Sequence, residues 1–466
     1  MSALDKLRDN IKITGDRYFV DNSELKLSAR LLDNFKLSML WLSILMSKNV
    51  LLVGEPGFGK TTATKVVLSA YSGLPFSLYE SAQLQGHPEQ VEEKLIGRPD
   101  YSKLTTEEAV IWNKAIFLPG IIADEFNRLP AGKHAILLNS VETGRFNYLN
   151  EVLYLGQKPF FATANNQDAG TSEIMLPMLD RFAFVLEFGY TGAVLQNYIR
   201  EAHDSIKREL SDEVLTDKII NSLLDKNILV RDKISQLEQY ASDFSKTLNN
   251  YGLSQLNAAD QTELQQQISA IEFLPAARIF LECINSELNT TSKYGIKRSN
   301  DLLDDSTHAK NLASTNTYTG FSPRAISAIE DLSKGIALLL DDSKVTKEHI
   351  NAVAPYVMAH RLAFTEDFIA QNENVSRDEG EMKGIYLSKK ILAGIEANYS
   401  NTVKDIGFIY HILEGNERLS LIQTLKLKNL LADESKIDHP LTREYVRIIK
   451  KEYAEKLSSL WSITHD

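Results

Sequence analysis

The chain has 466 residues, which at roughly 150 per domain suggests about three domains and several hydrophobic cores. Lysine and arginine number 51 against 62 aspartates and glutamates, a formal net charge of −11, with 43% hydrophobic and 24% charged residues. This balance excludes a wholly disordered chain and argues against a protein held mainly by nucleic-acid phosphates.

Residues 1–30 are polar and mixed, and read as an N-terminal extension with a short helix. The start has no signal-peptide-like stretch, and no apolar run approaches the roughly 18 residues of a membrane span, so the expected setting is the cytosol without membrane insertion. From Leu31, LLDNFKLSMLWLSILM predicts an apolar helix that leads into NVLLVG, a short buried strand ended by glycine. GIIAD (120–124), PFFATA (159–164) and AFVLEF (183–188) are further strand-like runs, separated by the helical segments TTATKVVLSAY and KHAILLNSVETG. Buried strands alternating with helices predict an α/β domain over 31–195 with a largely parallel sheet.

Helical patterns dominate beyond residue 195. In the linker 196–272, Val230, Ile234, Leu237, Ala241, Phe244, Leu248 and Tyr251 follow at alternating spacings of four and three, and Leu264, Ile268 and Ile271 resume the rhythm. The segment 226–272 reads either as a coiled-coil hairpin, a projecting arm, or as two ordinary helices against the domain body. Residues 273–368 form a helical domain interrupted by the polar stretch 289–320, read as a mobile loop. A last helical block occupies 369–466. The single cysteine, Cys283, lies in LPAARIFLECINSEL and reads as core; no Cys/His cluster has zinc-ligand spacing.

Chemistry concentrates in Gly54, Glu55, Pro56, Gly57, Phe58, Gly59, Lys60 and Thr61, which fit G-x-x-x-x-G-K-[ST] between a predicted strand and a predicted helix, with Thr62 following. Glycines let backbone N–H groups cradle phosphate oxygens at the helix start; Lys60 reaches the β and γ phosphates, and the Thr61 hydroxyl is a magnesium ligand. Downstream, GIIADE ends an apolar strand in two acids: Asp124 is placed to hold magnesium or its water shell, and Glu125 to polarise an attacking water. The expected cofactors are ATP and Mg2+.

GEPGFGKTT, IIADEFNRLP, FFATANN, GTSEIMLPMLDRF, FSPRA and APYVMAHRL occur in an order that resembles the MoxR family of AAA+ ATPases, in the clade with an insertion in the second helix. The resemblance runs from about Leu31 to about Ala363. It implies an AAA+ P-loop core with a mostly parallel five-stranded sheet, an all-α lid, and a further helical C-terminal region. It also implies that Asn165 is the polar sensor that places the lytic water, Arg181 a finger reaching a neighbouring subunit's site, and Arg324 the lid sensor of the γ phosphate. Arg128 matches DE-x-N-R, as an interface cation or a plain surface arginine. The second-helix insertion falls in 84–118 with Trp112 and Phe117, and a second insertion in 145–158. Trp112 is left open between a substrate-facing and a buried position. The family's Gly-Gln element has no counterpart in residues 1–40, which leaves the adenine contacts unassigned.

The resemblance implies an ATP-driven, chaperone-like remodelling machine working as a ring, usually of six subunits, on client proteins, often beside a von Willebrand factor A domain partner. Two alternatives are a nucleic-acid motor of the same clade, disfavoured by the charge balance, and a nucleotide-gated scaffold with little turnover.

Overall fold

The computed structural model describes residues 2–21, 23–27, 30–101, 110–165, 174–189, 192–291, 295–296, 312–376, 382–414 and 439–452. The chain divides into two compact units, the first Met1–Ile271 with Glu330–Ser343, the second Glu272–Ile329 with Lys344–Asp466. Residues 1–30 and the segment up to Ile271 thus belong to the first unit, not to a separate extension and linker.

At the centre of the first unit lie five strands: β1 (Asn49–Val53), β2 (Leu84–Gln85), β3 (Ile121–Asp124), β4 (Phe160–Ala164) and β5 (Phe184–Glu187). They form one sheet in the order β5-β1-β4-β3-β2, and every pairing is parallel. Each residue of β4 and Asn49–Leu52 of β1 is buried, as expected of strands covered on both faces. Four of the strands are the apolar runs visible in the sequence. The fifth, β2, has two residues and no apolar run to announce it.

Helices of this unit longer than one turn are α1 (Ala3–Ile13), α2 (Phe35–Leu45), α3 (Lys60–Ser72), α4 (Phe76–Ala82), α5 (Ala131–Thr143), α6 (Gln196–Ser205), α7 (Glu213–Leu224), α8 (Val230–Asn249) and α9 (Ala258–Ala270). A capping box starts α1: the Asp5 N–H donates to Ser2 Oγ, and the Ser2 N–H to the Asp5 carboxylate. Every residue of α2 except Lys36 is buried, so it is a core helix. It begins later than Leu31 because Arg30–Asp33 pairs antiparallel with Glu24–Leu27 and Asn34 then takes a left-handed conformation.

The arm reading of 226–272 fails. In α8, Leu237, Ala241, Phe244 and Leu248 are buried, while Ile234 is 36% exposed. The helix packs on α7 and on residues 206–210, not on a hairpin partner. Helix α9 lies instead on α1 and α2: Leu264 and Ile268 are buried, Lys6 Nζ meets Asp260 at 2.8 Å, and Gln265 Nε2 donates to the Leu45 carbonyl at 2.7 Å. A three-and-four spacing marks the core face of any amphipathic helix as well as a coiled-coil seam, and here the domain body wins.

Trp112 and Phe117 are both buried, which closes the substrate-facing option for them. Trp112 ends a hairpin, Gly97–Pro99 with Val110–Trp112, and a second hairpin pairs Arg145–Tyr148 with Glu151–Tyr154. The two are joined where the Val110 N–H donates to Glu151 Oε1 at 3.0 Å.

The second unit is helical: α10 (Pro275–Asn289), α11 (Pro323–Leu339, of which 323–329 belong here), α12 (Lys347–Met358), α13 (Glu366–Ser376), α14 (Lys383–Glu414) and α15 (Pro440–Glu452). Helices α10, α12 and α15 pack on α14 around Phe280, Ile284, Val353, Val357, Ile395 and Val446. Cys283 is fully buried in this core, as expected. Glu287, also fully buried, accepts from His439 Nε2 and Asn398 Nδ2, both at 3.1 Å. Of the stretch 289–320, Thr290–Thr291 pairs with Gly295–Ile296 and Ala313–Asn316 forms a 3-10 turn; 292–294 and 297–311 lie outside the described residues, as do 415–438 and 453–466 of the C-terminal block.

Candidate nucleotide-binding site

The loop Gly54–Gly59 leaves the C-terminal end of β1 and feeds α3, whose first residue is Lys60. Its side chain is buried, and Nζ donates to the Gly54 carbonyl at 2.6 Å, the Glu55 carbonyl at 2.8 Å and Asn165 Oδ1 at 2.9 Å. Burial pulls the ammonium below the usual lysine range, against the charges of Asp124, Glu55 and Glu125, which push it up. A phosphate anion beside Nζ adds to the second influence. The loop needs glycine at 59: φ is +80°, and a Cβ there would stand 2.9 Å from the Phe19 ring.

Two strand ends supply the facing wall. Asp124 closes β3, and its Oδ1 accepts from Thr61 Oγ1 at 2.9 Å and from Thr163 Oγ1 of β4 at 2.6 Å. Thr163 Oγ1 in turn accepts from the Glu125 N–H at 2.9 Å, which locks the adjacent strand ends together. Glu125 has a left-handed backbone, φ 51° and ψ 43°, that turns its carboxylate from the strand direction. Oε1 of Glu125 accepts from Asn165 Nδ2 at 3.2 Å, and Oε2 lies 3.1 Å from Arg128 Nη1. On the far side Gly86 presses against this turn: its N–H donates to the Asp124 carbonyl at 2.7 Å, and a Cβ would stand 2.0 Å from the Glu125 carbonyl oxygen.

The sequence-predicted Lys60, Thr61, Asp124, Glu125 and Asn165 thus meet in one hydrogen-bonded cluster at the C-terminal ends of β1, β3 and β4. Ligands commonly bind at this edge of a parallel sheet. The neighbouring oxygens of Thr61 and Asp124 are hard donors of the kind magnesium takes in ones and twos, completing its shell with phosphate and water. Arg128 is paired with Glu125 within the chain. Arg181 lies elsewhere: its guanidinium is 3.3 Å from Glu142 Oε2, and its carbonyl accepts from Asn49 Nδ2 at 3.1 Å. Arg324 is in the second unit, exposed, at the start of α11, where Ser322 Oγ accepts from the Ala325 N–H at 3.3 Å.

Beside the loop is a cavity of about 410 Å³, lined by Tyr18, Phe19, Val20, Thr62, Ile199 and Ile206 together with Gly57–Gly59. Sequence reasoning missed this wall. Helix α1 runs into a π turn, Thr14–Tyr18, after which the Phe19 ring meets Phe188 edge-on at 5.9 Å between centroids. Residues 18–20 therefore lie over the phosphate loop, where an apolar wall suits a nucleotide base. The available signal was the apolar triplet Tyr18-Phe19-Val20 in an otherwise polar stretch. Thr163, Asn127, whose Nδ2 donates to the Asn165 carbonyl at 3.1 Å, and Glu142 were missed as well.

No curated protein matches the chain. A solved structure of an inferred ATPase from Cytophaga hutchinsonii shares the fold with a TM-score of 0.53 at 17% identity, covering 80% of this chain and 94% of that one. Residues 49–182 match the AAA domain (dynein-related subfamily), and residues 309–380 match the AAA lid domain. The chain thus carries an AAA domain followed by an AAA lid domain, with the phosphate loop, Asp124, Glu125 and Asn165 all inside the first of the two matched segments.

Proposed function

We propose that the chain is a MoxR-like ATPase that hydrolyses ATP in a ring of its own copies, six by the usual solution, and uses the energy to remodel or assemble client proteins. The cluster of Lys60, Asn165 and Glu125 beside Thr61 and Asp124 carries the reading. Lys60 neutralises the β and γ phosphates, Glu125 polarises the attacking water, and Asn165, bonded to both residues, sets the distance between them. Thr61 and Asp124 would hold magnesium, which supplies charge neutralisation at the phosphate oxygens. The cavity beside Tyr18, Phe19 and Val20 takes the base.

Arg181 acts in trans on a neighbour's γ phosphate, and Arg324 acts from the lid. Arginine suits both tasks because its planar charge matches a phosphate whose charge spreads in the transition state. The lengthened segments 84–118 and 145–158 support the helix-2-insert placement and a surface for clients, including a von Willebrand factor A domain partner. Phosphate release from ATP by the purified chain tests the activity; none with magnesium present, at any protein concentration, would refute it. Affinity capture with a Glu125→Gln form held in ATP, followed by mass spectrometry, tests the client role.

A further inference from the structure

Behind the wall of the base cavity lies a carboxylate outside the predicted machinery. Glu209 sits in a five-residue π turn, Ile206–Leu210, that follows α6, and its side chain is only 1% exposed. Oε1 accepts from Arg17 Nη2 and from Arg208 Nη2, both at 2.8 Å, and Oε2 accepts from the Tyr18 hydroxyl at 2.9 Å. Arg17 and Tyr18 end the other π turn, Thr14–Tyr18, so one carboxylate ties together two irregular turns. Each turn contributes a cavity residue, Tyr18 from one and Ile206 from the other. The Arg17 guanidinium also lies over the Tyr251 ring, 5.3 Å from its centroid, which fixes the strap from outside.

An apolar side chain in place of Glu209 would leave the buried Tyr18 hydroxyl without this acceptor. Three directional donors on one buried carboxylate leave it a single orientation. Burial alone raises the carboxyl, yet the bonds from Arg17, Arg208 and Tyr18 outweigh it and hold Glu209 below the usual carboxylate range, so the anion persists. Tyr18 leads directly into Phe19, whose ring packs against Gly59, and any slack in the anchor reaches the cavity wall.

We infer that Glu209 is a positioning residue for the nucleotide base: it clamps residues 17–20 to residues 206–210 and so shapes the wall against which the base lies, without touching a phosphate. The inference rests on the nucleotide-binding reading above. It is tested by titrating the full chain with ADP, with a non-hydrolysable ATP analogue and with inorganic tripolyphosphate, which offers phosphates but no base. Glu209→Gln should weaken both nucleotides by the same factor, about tenfold, and leave tripolyphosphate within about twofold. Arg17→Met loosens the same anchor from its 42% exposed side and should act in the same direction. The double variant should then bind nucleotide no worse than Glu209→Gln alone. Should Glu209→Gln fail to fold in a thermal melt, Arg17→Met carries the same comparison. Equal weakening of tripolyphosphate, or unchanged nucleotide binding, would overturn the role of Glu209 while the nucleotide reading stands. An unsubstituted chain that binds tripolyphosphate but no nucleotide would overturn both.

Discussion

Replacing Lys60 by alanine removes the ammonium that meets the Gly54 and Glu55 carbonyls and Asn165, and most nucleotide affinity is expected to go with it. Glu125→Gln keeps the side-chain shape but not the charge proposed to polarise water, so it should bind ATP and fail to hydrolyse it. Calorimetric titration and phosphate release separate the two; full turnover in Glu125→Gln would remove that residue from the chemistry. Gly86→Ala tests the strand end from behind. Its Cβ would meet backbone at 2.0 Å, so the turn carrying Glu125 must shift, and turnover should fall about 10²-fold while nucleotide affinity changes only a few fold. Lys60, Thr61, Asp124 and Glu125 were legible in the sequence because phosphate chemistry demands their types at fixed spacing. Gly86, Thr163 and Tyr18 belong to the site by position alone, and no local pattern distinguishes them from ordinary glycine, strand threonine and core tyrosine.

Helix α5 supports the turn that carries Glu125 through His134, whose Nε2 lies 2.8 Å from the Phe126 carbonyl and whose ring stacks on Phe126 at 4.3 Å. Burial, only partly opposed by that carbonyl, lowers its pKa below the usual histidine value. The unfolded chain then takes up the proton first. The stability His134 contributes is therefore present above the ordinary histidine pKa and is lost as pH falls from there toward the folded value. Thermal melts from about pH 7 to 5 should show His134→Gln with a flatter pH dependence than the unsubstituted protein. The segment 226–272 offers a second check. Leu248 and Leu264 are fully buried, so either one changed to alanine should cost about 2–5 kcal/mol in urea denaturation. A loss under about 0.5 kcal/mol would restore the projecting hairpin. The sequence pattern identified α8 and α9 as amphipathic helices. It could not say against what they pack, since a bundle seam and a core face share one periodicity.

At the scale of the whole molecule, the proposed role of Arg181 requires a second copy of the chain. If it completes a neighbour's site, Arg181→Ala should lower turnover about 10³-fold with ATP binding nearly intact. Mixing that variant with Lys60→Ala should restore some hydrolysis at mixed interfaces; no rescue in demonstrably mixed rings would count against the assignment. Glu142, 3.3 Å from Arg181 in the same chain, competes for the guanidinium, so Glu142→Gln in an otherwise unsubstituted protein should raise turnover. The parallel sheet was legible at this scale because four apolar runs alternate with helices. The union of the first 30 residues with the nucleotide-binding unit was not, because it rests on long-range bonds such as Lys6 to Asp260 and Arg17 to Glu209.

The sheet order also sets a timetable for synthesis. Strand β1 has no neighbour made before it: both its partners, β4 and β5, leave the ribosome more than 100 residues later. At roughly 5–20 residues per second, the apolar segment formed by α2 and β1 waits on the order of 5–20 s before its sheet exists. Nascent chains arrested between residues 90 and 150 should therefore be the ones that folding helpers hold most tightly.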